Sequence, residues 1–146
     1  MTNKYQGDFI DIGQTEFNRV FSQDSQYNII RRECATCDPS HQNIYYRRFT
    51  DPNLFDAYST MIDWTVTNNV MNTDFQLYST LQDAIDNTSA WIYCNYDDPS
   101  HSIAAFRDCG PSGPTCCQIT ADAASTAWIA HSTIIHDTKF SILLNT

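Results

Sequence analysis

The spacing of apolar positions changes period several times along the chain, and each change marks an element. Short apolar pieces at residues 9–12 ("FIDI") and 27–32 ("YNII" and the two arginines after it) lie between polar turns. "NIYYRRFT", ending at Thr50, is a Tyr-rich, β-favouring run. All three predict strands. After Asp51-Pro52, a capping residue with proline at the first helical position, Leu54, Phe55, Tyr58, Met61 and Ile62 recur at spacings of three and four. That pattern predicts a helix ending between Thr65 and Asn69. "NTDFQLYS" alternates Phe75 and Leu77 inward with Asp74, Gln76 and Tyr78 outward, as in a half-buried strand. "STLQDAIDN" pairs Thr80 with Asp83 in a capping box and predicts a short helix. "SAWIYCNY" reads as a strand, and "TAWIAHSTII" and "KFSILLN" read as two more joined by a turn at His136-Asp137-Thr138. Ile134, Ile135, Ile142 and Leu144 are the expected core positions of that last pair.

The sum is a mainly β fold: one domain over residues 1–146, an antiparallel sandwich or jelly-roll-like architecture with one or two short helices. A chain of 146 residues can bury one proper core but not comfortably two. Composition does not shift along it, and the only cluster of Pro and Gly is "DCGPSGPTCC".

Charge narrows the partners. Eight Lys and Arg stand against 17 Asp and Glu, and a surface of that sign repels phosphate backbones, so nucleic acid is excluded as the expected partner. Fifteen of the acids are Asp, a residue of turns and caps, which makes the chain turn-rich. No run approaches the roughly 18 apolar residues of a membrane helix, so no membrane insertion is expected. The start "MTNKYQGDFIDIGQ" lacks the apolar stretch of a signal peptide. Six cysteines and the sequon Asn87-Thr88-Ser89 nevertheless point to an oxidising, secretory route, with Asn87 as a glycosylation site. The two are reconciled if the chain is a mature product, or a module cut from a longer secreted protein. Its expected location is extracellular or at the cell surface.

Cys34-x-x-Cys37 has metal-ligand spacing, but a four-cysteine zinc site needs a second such knuckle. Adjacent Cys116 and Cys117 cannot supply it, and Cys94, Cys109, Cys116 and Cys117 all lie far downstream. Three disulfides are the favoured reading; their connectivity is not fixed by sequence, and Cys94 with Cys109 is the best single pairing.

The segments beginning at Cys34 and Cys94 share C-x-x-x-D-P-S-H, followed after five residues by Arg47 and Arg107. Asp-Pro-Ser is turn chemistry, because the Asp side chain accepts from nearby amides and proline fixes φ for the corner. Two similar turns leading into two strands account for both copies. The functional alternative concerns the second. There Asp97, Asp98, His101, Arg107 and Asp108 crowd one loop, flanked by Trp91, Tyr93 and Tyr96. Aromatic rings cover the apolar face of a sugar while Asp and Arg bind its hydroxyls, so Trp91, Tyr96, Asp97, Asp98, His101, Arg107 and Asp108 form the candidate ligand site. The plain counterpart is a solvated loop held by an Arg/Asp pair. Calcium would use the same Asp oxygens, but the spacing is not that of an EF-hand, and no cofactor is expected.

Elsewhere the chemistry is thinner. Arg31-Arg32 and Arg47-Arg48 read as basic pairs that neutralise Asp side chains. His131 and His136 are five apart, not at zincin spacing, and four glycines are too few for a phosphate loop. No G-x-S-x-G elbow occurs, so an enzyme is disfavoured, with a small hydrolase as the distant third reading.

"IYYRRFT", "DFQLYSTLQDAIDNTSAWIYCNYDDP" and "FRDCGPSG" resemble a cysteine-bearing extracellular module of large algal and protist surface or secreted proteins. The resemblance covers residues 44–113, and its most specific part is W-x-x-C-N-Y-D-D-P at Trp91 to Pro99 with Arg107 to Pro111. After Pro114, "TCCQITADAAST" replaces a stretch richer in Gly, Asn and Ser. The resemblance implies secretion, disulfides and a modular role, and carries no activity. The resulting expectation is a non-catalytic binding or adhesion module for carbohydrate or another surface polymer. The alternative is a structural subunit of a filament, coat or capsid that associates with copies of itself, motivated by the many Tyr and Thr on strands.

Overall fold

The structure, a computed structural model, describes residues 10–35, 39–63, 67–94, 109–113 and 139–145. Its elements in chain order are α1 (Gln14–Arg19), running into a π-helical turn (Val20–Asp24), and then β1 (Ser25–Glu33) and β2 (Asn43–Arg48). Next come α2 (Ala57–Asp63), β3 (Phe75–Tyr78), α3 (Leu81–Asp86), β4 (Tyr93–Cys94), β5 (Cys109–Gly110) and β6 (Lys139–Leu144). Four strands form one antiparallel sheet in the order β3-β2-β1-β6, and β4 pairs with β5 in a separate antiparallel ribbon. Antiparallel sheets with a few short helices are thus the architecture of the described residues.

Strand alternation decides which side chains meet which layer. Ile30, Ile44, Tyr46, Phe75 and Leu77 face a core completed by Phe17, Phe21, Phe55, Met61 and Trp91. Tyr46 is stacked between Phe55 and Phe75, with ring centroids 6.0 and 4.9 Å away, and its hydroxyl donates to Asn69 Oδ1 at 2.8 Å. On the other face Ile29 and Tyr78 pack with Ala84, against Leu81, Ile85 and Leu143. Tyr78 was expected to point to solvent; instead α3 folds over it and its hydroxyl donates to Asn87 Oδ1 at 2.6 Å. Where α3 covers the second face, a position on that face is also buried, so simple alternation misassigns Tyr78.

The same alternation splits the two arginine pairs. Arg31 reaches Asn43 and Glu33, while Arg32 is fully buried and donates to the His41 carbonyl. Arg47 donates to the Ala84 and Ile85 carbonyls of α3. Arg48 lies under the Phe55 ring, 3.8 Å from its centroid, and donates to the Asn68 carbonyl. Backbone carbonyls, with the Tyr46 hydroxyl for Arg48, take the hydrogen bonds of Arg47 and Arg48 to the described residues, where Asp side chains were expected, and Asp51 feels the charge of Arg48 without a hydrogen bond to it.

Two other expectations are corrected. Residues 10–12 are not a strand: Asp11 Oδ1 accepts from Gly13 N at 2.8 Å, turning the chain into α1, and Ile10 is 81% exposed. The signal for α1 was available in Phe17 and Phe21, four apart and both buried. The helix expected from Asp51 is really two pieces. Asp51 caps a single 3₁₀ turn (Pro52–Leu54) by accepting from Asn53 N, Phe55 is extended, and α2 starts afresh.

Asp56 is the true cap of α2. Its carbonyl accepts from Thr60 N at 3.1 Å and its Oδ1 from Ser59 N at 3.0 Å. Gln14 and Asn18 of α1 donate to the same carboxylate at 2.5 and 2.8 Å, joining the two helices. Desolvation alone would raise its pKa; hydrogen bonds from Asn18, Ser59 and Gln14 outweigh it and hold the carboxyl below its ordinary value. A depressed folded-state pKa means stabilisation that is present at neutral pH and lost as the pH falls through that value, below about 4. Asp56→Ala should lower the unfolding free energy by about 1 kcal/mol at neutral pH, the worth of a cap. In urea titrations repeated at falling pH, the gap from wild type should close in the acid range.

Candidate functional site

The loop 95–108 springs from the β4–β5 ribbon, whose pairing sets Tyr93 opposite Gly110 and Cys94 opposite Cys109. A Cys94–Cys109 disulfide closes it, with the two Cα atoms 4.1 Å apart, which is the pairing expected from sequence. Ile92 N donates to the Pro111 carbonyl at 3.3 Å, one residue beyond each strand.

The ribbon rests on a buried polar seat. His41 Nε2 lies 2.7 Å from the Cys109 carbonyl oxygen, so this nitrogen carries the proton, and Nδ1 accepts from the Ser40 hydroxyl at 2.8 Å. The imidazole lies against Trp91, with centroids 5.2 Å apart, and Arg32 holds the His41 carbonyl from the sheet. Trp91 is anchored at both ends: its backbone N donates to the Leu77 carbonyl at 2.7 Å and its indole Nε1 to Ser79 Oγ at 2.8 Å.

This arrangement tells what the first D-P-S-H copy does. Pro39–His41 form a 3₁₀ turn that points His41 inward, and Arg47 at the end of the copy holds α3. Its histidine fastens the cysteine that closes the second copy. The corresponding residues of the second copy, Asp98, His101 and Arg107, lie outside the described residues.

Of the expected ligand site, Trp91 is corrected. At 1% exposure, with its nitrogen bonded to Ser79, it is a core residue with no ring face for a sugar. The motif W-x-x-C misled because its tryptophan is spaced toward the core side of the staple. Tyr96, Asp97, Asp98, His101, Arg107 and Asp108 lie outside the described residues, as do Cys37, Cys116 and Cys117. Cys34 is disulfide-bonded to a partner beyond the described part. Asn87 is exposed, ends α3 in the left-handed conformation and accepts from Tyr78 through Oδ1, while its amide nitrogen makes no hydrogen bond to the described residues.

An open groove of about 310 Å³ beside α2 was not anticipated; it is lined by Phe55, Asp56, Ser59, Thr60, Thr67 and Asn68, with Leu54 at the rim. Its carboxylate is the α2 cap and is already committed to Gln14, Asn18 and Ser59. Among the described residues no three His, Cys, Asp or Glu side chains gather to hold a metal ion, and no helix is long and apolar enough to cross a membrane. The Asp oxygens considered for calcium belong to the loop outside the described residues.

No known protein family, curated protein or solved structure matches this chain.

Proposed function

We propose that the chain is a non-catalytic extracellular binding module that presents the 95–108 loop to carbohydrate or another surface polymer. The observation that carries this reading is the seat of that loop. Its ends are covalently closed at Cys94–Cys109 and fastened to the core by His41, so a segment carrying Tyr96, Asp97, Asp98 and Asp108 is held at both ends. Loops that recognise ligands are commonly held in this way by a scaffold that does not itself take part. Tyr96, Asp97, Asp98, His101, Arg107 and Asp108 form the proposed site, with Trp91 behind it as support. The disulfides, the sequon at Asn87 and the resemblance of residues 44–113 to an extracellular module support the compartment. A sandwich is part of the same reading.

A glycan array probed with the oxidised protein tests the reading. A discrete set of bound glycans is expected, lost in Asp98→Ala/Arg107→Ala while the urea midpoint stays at the wild-type value. Unchanged glycan binding in that folded double variant would remove the loop as the site. Concentration-dependent assembly without glycan binding would favour the structural-subunit alternative.

A further inference from the structure

The opposite end of the sheet carries a second arrangement that neither the core nor the loop explains. β2 sends Arg47 to the α3 face, and Phe49 follows it two residues on; β1 reaches the same place through Tyr27. The Arg47 guanidinium carbon lies 5.4 Å from the Tyr27 ring centroid and 4.8 Å from that of Phe49. Both rings keep much of their surface in solvent, Tyr27 at 45% and Phe49 at 43% exposed.

The local backbone is bent to make this cluster. Tyr27 and Asn28 are both left-handed, at φ 59° and 49°, and the pairing of β1 with β6 slips across them. Asn28 Nδ2 holds the bend by donating to the Phe21 carbonyl at 2.7 Å. A bulge of this kind re-aims one side chain, here an aromatic ring toward an arginine.

Arg47 is fixed by one nitrogen only. Nη1 donates to the Ala84 and Ile85 carbonyls at 2.8 Å each, whereas Nε and Nη2 make no hydrogen bond to the described residues. Among those residues no carboxylate pairs with it, in a chain with 17 acids to 8 bases. A held cation with free donors between two apolar faces is complementary to a ligand that is apolar on one side and anionic at its edge.

We propose that Tyr27, Arg47 and Phe49 form a binding site for a carboxylate-bearing sugar, the rings stacking on its C–H face and Arg47 taking the carboxylate through its free edge. A peptide fits less well. β1 and β2 are inner strands of the four-stranded sheet, not edge strands of the kind a peptide extends, and the groove found beside α2 is not part of this patch. The site does not depend on the 95–108 loop. At about 3.3 Å per residue, Tyr27 is on the order of 20 Å along β1 from the Glu33 end, where that loop is seated.

Calorimetric titration of the oxidised protein with oligogalacturonate and with its methyl ester tests the assignment. The acid should bind and its ester should bind about tenfold more weakly, the scale of one lost charge-assisted hydrogen bond. Phe49→Ser and Tyr27→Asn should each weaken the acid by a similar factor. Asparagine tolerates the left-handed backbone at position 27, and Arg47, which also holds α3, is left intact. Asp98→Ala/Arg107→Ala should leave this binding unchanged, so failure at one site is distinguishable from failure at the other. No binding of the acid, equal binding of acid and ester, or full binding in both aromatic variants would overturn the proposal. Preferential capture of an acidic peptide over the oligogalacturonate would overturn the sugar assignment.

Discussion

Trp91→Ala should lower the unfolding free energy by about 3–5 kcal/mol, the range for deleting a large buried aromatic side chain. The indole is 1% exposed, lies against His41 and belongs to the same core as Phe17, Ile44, Tyr46 and Leu77. Its removal leaves a cavity beneath the β4–β5 ribbon and takes from the His41 imidazole its ring contact with Trp91. Against a typical total of about 5–15 kcal/mol, that loss would leave a marginally folded chain. Urea unfolding followed by far-ultraviolet circular dichroism measures it. Trp91→Phe retains an aromatic body and forfeits the bond to Ser79 with part of the volume, so its loss should be clearly smaller. The pair of variants separates a core role from a ligand role. A stacking residue would lose affinity with little change in stability; here stability should fall first, and glycan affinity corrected for the folded fraction should change little. An alanine variant within about 1 kcal/mol of wild type would contradict the buried position.

What could be read from sequence divides by the range of the interaction that causes it. Thr80 accepts from Asp83 N and starts α3 as its capping box required, because the whole cause lies within four residues. Period-two alternation likewise placed Phe75 and Leu77 on one face, where both are buried. It could not say that the other face is also covered, which depends on α3 folding back, so Tyr78 was assigned to solvent. Nor could it show that the helix after Asp51 breaks at Phe55, since α2 begins where Gln14 and Asn18 of α1 meet Asp56. Trp91 failed for the same reason on a larger scale: its partner His41 is fifty residues away in the other copy of the repeated motif. The pairing of Cys94 with Cys109 was legible because one short loop joins them; the partner of Cys34 was not. The Tyr27–Arg47–Phe49 cluster needs a bulge, a register and a helix terminus together, and none of the three is written locally.

Cys94→Ser/Cys109→Ser should cost about 3 kcal/mol, the loop-entropy value for closing a loop of this length, here a sequence separation of 15. The cost has a structural component as well, because Cys109 is buried and a serine hydroxyl there would need a partner beside His41. Reduction with a thiol cannot isolate this bond, since Cys34 is also in a disulfide. The serine pair leaves that second crosslink in place. The urea midpoint of the double variant should therefore fall below that of the oxidised wild type and stay above that of the fully reduced wild type. Binding by the 95–108 loop should fall further than the folded fraction does, because the ends are then held without a covalent link, by the ribbon's backbone pairing, the Ile92–Pro111 hydrogen bond and the His41 contact to the residue 109 carbonyl. An ordered loop loses little entropy on binding and a loosened one must recover it. Oligogalacturonate binding at Arg47 should be untouched in the molecules that remain folded, since neither cysteine contacts that end of the sheet. A double variant with wild-type stability and wild-type loop affinity would show that the ribbon is held by His41 and its backbone pairing alone, and that the staple is not what displays the loop.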